Sequence, residues 1–386
     1  MQPQNPIAAV THPDPYPFYA ELVANKPLYY DEALNLWIAS SADAVNAVLT
    51  NPLCRVRPTS EPVPKALLGS PAADIFCQLV RMNDGEIHHS KKQAVSKTIG
   101  SLEPAYVLEQ GRKWAKVLVG EIADDPSRIA DFSFQLPVYV VGSLLGIPES
   151  DLPQVAVWMR DFVKCLSPAS TPEQIELGKS AAGQLWNMVH SILPTAPADS
   201  LLGRLANEAK RVGRDDTETI IANGIGFLSQ AYEATAGLIG NTLVALAAHP
   251  ELLERSVNDG GLLRQTILEV VRYDPSVQNT RRFVAQDGMI AGQPMKAGDA
   301  ILVVLAAANR DPQANPHPAV FDPYRKDRQS FTFGAGVHAC PGETLATGIA
   351  QAGVESILAS GIDLRQLTAA YYPSANVRIP LFKRAA

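Results

Sequence analysis

The chain has 386 residues, 46% hydrophobic and 19% charged, with a formal net charge of -6 at pH 7. This is the composition of a globular enzyme with a large core, and the acidic balance argues against nucleic acid as a partner. Four scattered cysteines, Cys54, Cys77, Cys165 and Cys340, show neither the pairing of a disulfide framework nor zinc-site spacing.

Residues 1–14 are polar and Pro-rich, with no apolar run of membrane-spanning length and no cleavage-type segment. No membrane anchor is therefore expected. Pro15–Asn25 reads as a short amphipathic helix, followed by strand-like pieces at Leu28–Tyr30 and Leu36–Ala39. Ser41 is placed to cap a helix running to Leu49, with Asp43 in its first turn. Cys54–Gln78 is rich in Pro, Ser and Gly without a clean period, and is expected to be a long loop of the functional kind.

Asp84–Thr98 is expected to be helical, with His88 and Lys92 at i, i+4 on one face. Taken alone, that pair is a solvated basic face. Helical patterns continue at Glu103–Asp124, Asp131–Leu145, Ser150–Cys165 and Pro172–Leu193, the last two separated by a Pro- and Ser-rich link. Asp215, Asp216, Thr217 and Glu218 make a strong helix start, and no proline intervenes before Pro250. A helix of roughly thirty-odd residues would span about 50 Å.

Glu269 and Arg272 stand three apart on a helix ending near Asp274 and Pro275, alone an ordinary ion pair. Arg281 and Arg282 follow in a strand, where adjacent side chains point to opposite faces, so only one can serve a given site. Near the C-terminus, Phe333, Gly334, Ala335, Gly336, Val337, His338, Ala339, Cys340, Pro341 and Gly342 form a glycine-rich loop before a helix expected at Glu343–Leu358. Gly336 and Gly342 permit close backbone approach or positive φ. Pro341 suits a first helical position, and the helix N-terminus favours a thiolate on Cys340.

The spacing of Phe333, Gly336, Cys340 and Gly342 resembles the haem-binding signature of the cytochrome P-450 family, soluble bacterial type. The Glu269–Arg272 pair, Asn309-Arg310-Asp311-Pro312 and Phe321-Asp322-Pro323 follow in that family's order, so the likeness covers nearly the whole chain. It implies a mainly α fold with small β-sheets over residues 1–386 as one domain, with haem between the long central helix and the Cys340 loop. The implied cofactor is heme b, with Cys340 as the iron's axial ligand, Phe333 against the sulfur, His338 against the haem edge and Gly342 among the cofactor-binding residues. That thiolate donation favours O–O cleavage is a property of the family's chemistry, carried over with the resemblance.

The resemblance further assigns His88, Lys92, Arg282 and His338 to the haem propionates, with Lys92 where Arg is usual and Arg281 as the one-register alternative. It gives Glu269 and Arg272 a fold-holding role, and makes Phe227, Ala231, Val277 and Asn279 candidates for the substrate pocket. The long helix departs from the family pattern. Glu233 falls at the family's acid, but Ala234 falls where a threonine hydroxyl normally steers a proton into oxygen activation. Thr235, an ordered water or a substrate hydroxyl could replace it, with Glu233 as the relay acid.

The expected function is monooxygenation of a small organic substrate with O2 in the cytoplasm, with electrons from a separate ferredoxin and its reductase. Lys91, Lys97, Arg112, Lys113, Lys116, Arg325, Lys326 and Arg328 are the basic patch expected to dock that acidic partner. Ala234 keeps open an atypical reaction (coupling, desaturation or peroxide-driven oxidation). A non-catalytic haem-thiolate sensor or carrier is the third alternative.

Overall fold

The computed structural model describes residues 2–122, 125–167 and 169–385, and the expected helix end at Asp124 lies outside them. The fold is mainly α with small β-sheets. Two compact units emerge: Met1–Arg55, Leu108–Leu136 and Glu233–Ala386 form the first, Val56–Val107 and Pro137–Tyr232 the second.

The first unit holds the sheets. Its five-stranded sheet has the order β1 (Leu28–Asp31), β2 (Leu36–Ala39), β7 (Ala300–Val303), β4 (Thr280–Val284), β3 (Cys54–Arg55), with β2 and β7 parallel and the other pairs antiparallel. Ile301 and Val303 of β7 pack into one apolar cluster with Ala39, Val45 and Val48, while Leu302 joins Tyr19, Leu22 and Ile38 on the other face. A strand covered on both faces needs an unbroken apolar run, and Ile301-Leu302-Val303 supplies one. Ser41 accepts the Ala44 N–H at 3.3 Å and caps the helix Ala42–Thr50. Two hairpins complete the unit: β5 (Gly288–Ile290) with β6 (Gln293–Met295), and β8 (Leu367–Tyr371) with β9 (Pro380–Arg384).

The helix Thr217–Ala248 runs 32 residues without a break and lends its first half to the second unit, its second half to the first. Asp216 accepts the Thr219 N–H at 2.8 Å at its start, and the helix stops ahead of Pro250. In the first unit its glycines allow close approach. A Cβ on Gly240 would lie 2.7 Å from the Pro380 ring, and one on Gly237 would lie 2.6 Å from the Arg378 carbonyl oxygen.

In the second unit, helices Leu152–Cys165 and Pro172–Ile192 pack so closely that a Cβ on Gly178 would meet Cys165 Sγ at 2.5 Å. Thr171 and Gln174 form a capping box at the start of the latter. Part of the expected loop at Cys54–Gln78 is ordered instead as β3, a short turn at Lys65–Leu67 and a helix at Pro71–Gln78. Pro71 opens that helix, and Ala72, Ala73, Ile75 and Phe76 bury one face, an apolar stripe too short to show as a period.

Lys91 also differs from expectation. It is 5% exposed, and its Nζ donates to Gln78 Oε1 at 2.6 Å and to the Gln78 carbonyl at 3.2 Å. Thr219 and Asn223 of the long helix donate to the same residue. Burial pushes the Lys91 ammonium below its usual range, so this lysine ties elements together and offers no docking charge.

Candidate functional site

The Cys340 loop is built to present sulfur. Gly334 and Gly336 have φ of +72° and +66°, the left-handed region where a side chain is strained. A Cβ on Gly336 would also crowd the Leu49 carbonyl at 3.1 Å. The Cys340 N–H donates to the Phe333 carbonyl at 2.7 Å and closes the loop. The Gly342 N–H donates to Cys340 Sγ at 3.4 Å, and the helix Glu343–Ala359 begins directly after. Gly342 is its N-cap, so Pro341 sits before the cap and not at the first helical position. The helix starts one residue later than the proline suggests, because Gly342, at φ -91° and ψ 11°, is the last residue outside the helical run.

Chemistry sets this cysteine apart from the others. Burial pushes the thiols of Cys54 and Cys165 up to about 11, leaving them protonated and inert. Cys77 is exposed but raised by burial of its sulfur and by Asp74. Cys340 is exposed, at a helix N-terminus, with an amide donor on its sulfur. That combination suits a metal-ligating thiolate.

A buried scaffold fixes the approach to the loop. Glu269 and Arg272 are fully buried, with Arg272 Nη2 2.6 Å from Glu269 Oε1. Arg272 also donates to the carbonyls of Pro318 and Val320, while Glu269 accepts from Arg328 Nε at 2.9 Å and from the Asp322 N–H at 3.1 Å. Asn309 takes the Phe331 N–H at 2.7 Å and donates to the Thr332 hydroxyl at 2.8 Å. Segments 269–272, 309–315 and 318–332 are thereby locked together just before Phe333. Arg325 and Arg328 serve this lock, with side chains 12% and 13% exposed. They differ from the docking role expected of them because Glu269 draws both inward. Arg112 is paired with Glu355 at 2.7 Å, leaving Lys113, Lys116 and Lys326 as exposed basic residues of this unit.

In β4, Arg282 is 6% exposed whereas Arg281 is exposed, the alternation of a strand. Arg282 donates to the Arg281 carbonyl at 2.8 Å. His338 is half-buried at the end of the turn Gly336–His338. His88, buried, and Lys92, half-buried, lie on the helix Gly85–Gly100 of the second unit. Phe227, buried, and Ala231, half-buried, also belong to that unit.

Val277 pairs with Val377 in an isolated bridge, and Asn279 spends its amide on the Ala375 carbonyl at 2.9 Å. The buried Asn279 therefore holds the loop at Ala375. Glu233 and Ala234 are half-buried in the unbroken long helix, but Thr235 is 0% exposed. Its hydroxyl has no hydrogen-bond partner among the described residues. Thr235 is thus enclosed by packed core, whereas Ala231, Glu233 and Ala234 are each half-buried.

The family model described as cytochrome P-450 matches residues 195–360. The chain is 34% identical over 225 residues to a putative cytochrome P-450 133B2 of Xylella fastidiosa, a match spanning 56% of each chain, hence about half the relative's length. It is 27% identical over 379 residues to the cytochrome P-450 monooxygenase PikC of Streptomyces venezuelae, covering 95% of this chain and 89% of that one. The solved structure of CalO2 superposes with a TM-score of 0.82 at 26% identity, over 99% of this chain and 98% of the other. The chain belongs to the cytochrome P-450 family.

The cofactor of cytochrome P-450 proteins is haem, and the residues of this one fit it. The sulfur is exposed with an N–H donor beside it, Gly342 leaves its flank bare with a would-be Cβ 3.5 Å from Sγ, and a buried guanidinium lies in the same unit. One neighbour of the helix in this P-450 had no sequence signal. Tyr372 follows β8 and packs with Ala236, Val277, Val377 and Ile379. Only tertiary packing reveals it, because no spacing relates residue 372 to the long helix.

Proposed function

We propose that this cytochrome P-450 is a monooxygenase that inserts one oxygen atom from O2 into a small organic substrate. The balance is RH + O2 + two electrons + two protons giving ROH + H2O. The carrying observation is the Cys340 sulfur, exposed on a glycine-built loop and bonded by the Gly342 amide. Bound heme b supplies the oxygen chemistry at iron, with donation from the thiolate favouring O–O cleavage.

The chain's own residues do the rest. Cys340 would hold the iron, with Phe333 and Gly342 shaping the sulfur's surroundings. Arg282 suits a propionate, being buried and permanently charged, and His338 is assigned to the same task. His88 and Lys92 enter this proposal on motif position alone. Glu233, half-buried in the long helix, holds and passes a proton, and Val277, Phe227 and Ala231 are assigned to substrate contact. Electrons come from a separate protein, a ferredoxin with its reductase, for which exposed Lys113, Lys116 and Lys326 supply complementary charge. A single haem domain over residues 1–386, working in the cytoplasm, completes the reading.

Ala234, together with Thr235 enclosed by packed core, favours a second reading. Without a hydroxyl at Ala234, O2 activation uses a hydroxyl of the substrate, or the enzyme performs coupling, desaturation or peroxide-driven oxidation. Turnover under isotopically labelled O2, on a substrate found by spin-state shift, separates monooxygenation, substrate-assisted or not, from coupling, desaturation and peroxide-driven oxidation. Monooxygenation places one labelled atom in the product; an oxidised product without label contradicts it.

A further inference from the structure

The stripe of the long helix that carries Glu233 meets the C-terminal hairpin. Glu233, Ala236, Gly237 and Gly240 fall at i, i+3, i+4 and i+7, one stripe of the helix. The C-terminal hairpin lies along that stripe in register. Pro380 abuts Gly240, with 2.7 Å to a would-be Cβ, and Arg378 and Ile379 abut Gly237, at 2.6 and 3.4 Å. Val377 and Ile379 pack on Ala236.

Tyr372 continues the series. Its N–H donates to the Ile379 carbonyl at 2.9 Å, and its ring joins the Ala236 cluster, edge-on to Phe134 with centroids 5.7 Å apart. The next residue along the stripe is Glu233. Burial first, and then the Glu233 charge, hold the phenol above its usual ionisation range, so it is a neutral donor near a carboxylate.

We propose that Tyr372 is a positioning residue for Glu233, its hydroxyl donating to the carboxylate directly or through one water. A hydroxyl from the hairpin thereby orders the acid in a helix whose next residue, Ala234, has no hydroxyl to offer. Hydrogen bonds of this kind, hydroxyl to carboxylate, are short and about twice as strong as neutral ones. The consequence for turnover rests on the monooxygenase reading; the contact itself does not.

The test uses the haem-loaded full chain and the variants Tyr372→Phe, Glu233→Gln and their double. Tyr372→Phe keeps the ring and its packing on Phe134, so a merely structural role is left intact. In thermal melts the double variant should lose less than the sum of the singles. With a surrogate ferredoxin and reductase, the ratio of peroxide to water formed from O2 should rise roughly tenfold in Tyr372→Phe, the loss of one charge-assisted hydrogen bond. Additive melts, or coupled melts with an unchanged ratio, overturn the proposal. Each sample is also scored for the thiolate-type CO spectrum. Its absence from the wild type would sink the monooxygenase reading while the melts still decide the contact; its presence with additive melts removes only Tyr372.

Discussion

The carbonyl oxygen of Arg378 occupies the space where a Gly237 side chain would begin, 2.6 Å from a would-be Cβ. Ser276 Cβ stands equally close to that position. The helix and the C-terminal hairpin are therefore seated backbone to backbone. Gly237→Ala should gain about 1 kcal/mol of helix propensity and lose more to the clash, since overpacking costs about 1–3 kcal/mol and a backbone oxygen cannot rotate aside. A lower melting temperature and weaker ligand-induced spin shifts are expected, because Val277 and Val377 line the same seam.

Thr235 gives an opposite expectation. Its fully buried hydroxyl has no partner among the described residues, and an unmet buried polar group costs about 1–3 kcal/mol. Thr235→Val should leave the melting temperature unchanged or raise it. A clear fall would mean that the hydroxyl bonds an internal water, which would return Thr235 to proton delivery.

Ala234→Thr tests whether the absent hydroxyl limits proton delivery. The site is half-buried, so the larger residue is not forced into closed core. Proton transfer from a positioned group contributes ~10²–10⁴-fold. The variant should release less peroxide for each NADPH consumed; more peroxide would mean that alanine serves this enzyme's chemistry.

Glu269 links pH to stability. Burial pushes its carboxyl up, but the Arg272 hydrogen bond and charge, the Asp322 N–H and Arg328 outweigh it and hold the group below 4.5. Its stabilising effect is present above about 4.5 and is lost as pH falls through the lower folded-state value. Glu269→Gln should cost about 3–5 kcal/mol at neutral pH by leaving buried guanidinium charge uncompensated. It should also flatten the acid limb of the melting-temperature profile; an unaltered limb would assign acid unfolding to other carboxylates.

Local signals made much of this structure readable in the sequence. The run from Asp215 to Pro250 marked the long helix at both ends, and strand alternation separated Arg282 from Arg281. The Cys340 loop declared itself by glycine placement. What stayed hidden depends on partners distant along the chain. Lys91 read as surface charge until Gln78 proved to be its acceptor, and Arg325 and Arg328 read as docking charge until Glu269 proved to hold them. Helix Pro71–Gln78 was obscured by its Pro- and Ser-rich flanks. Tyr372 had no signal, because its relation to Glu233 is set by hairpin register alone.

The central claim is that Cys340 binds haem iron as a thiolate. The absorption spectrum of the reduced, CO-bound protein tests it most directly. The wild type should show the red-shifted band of thiolate-ligated haem, and Cys340→His, which supplies a neutral nitrogen ligand, should lose that shift. A wild-type spectrum without the red shift, in protein that retains its haem, would contradict the assignment.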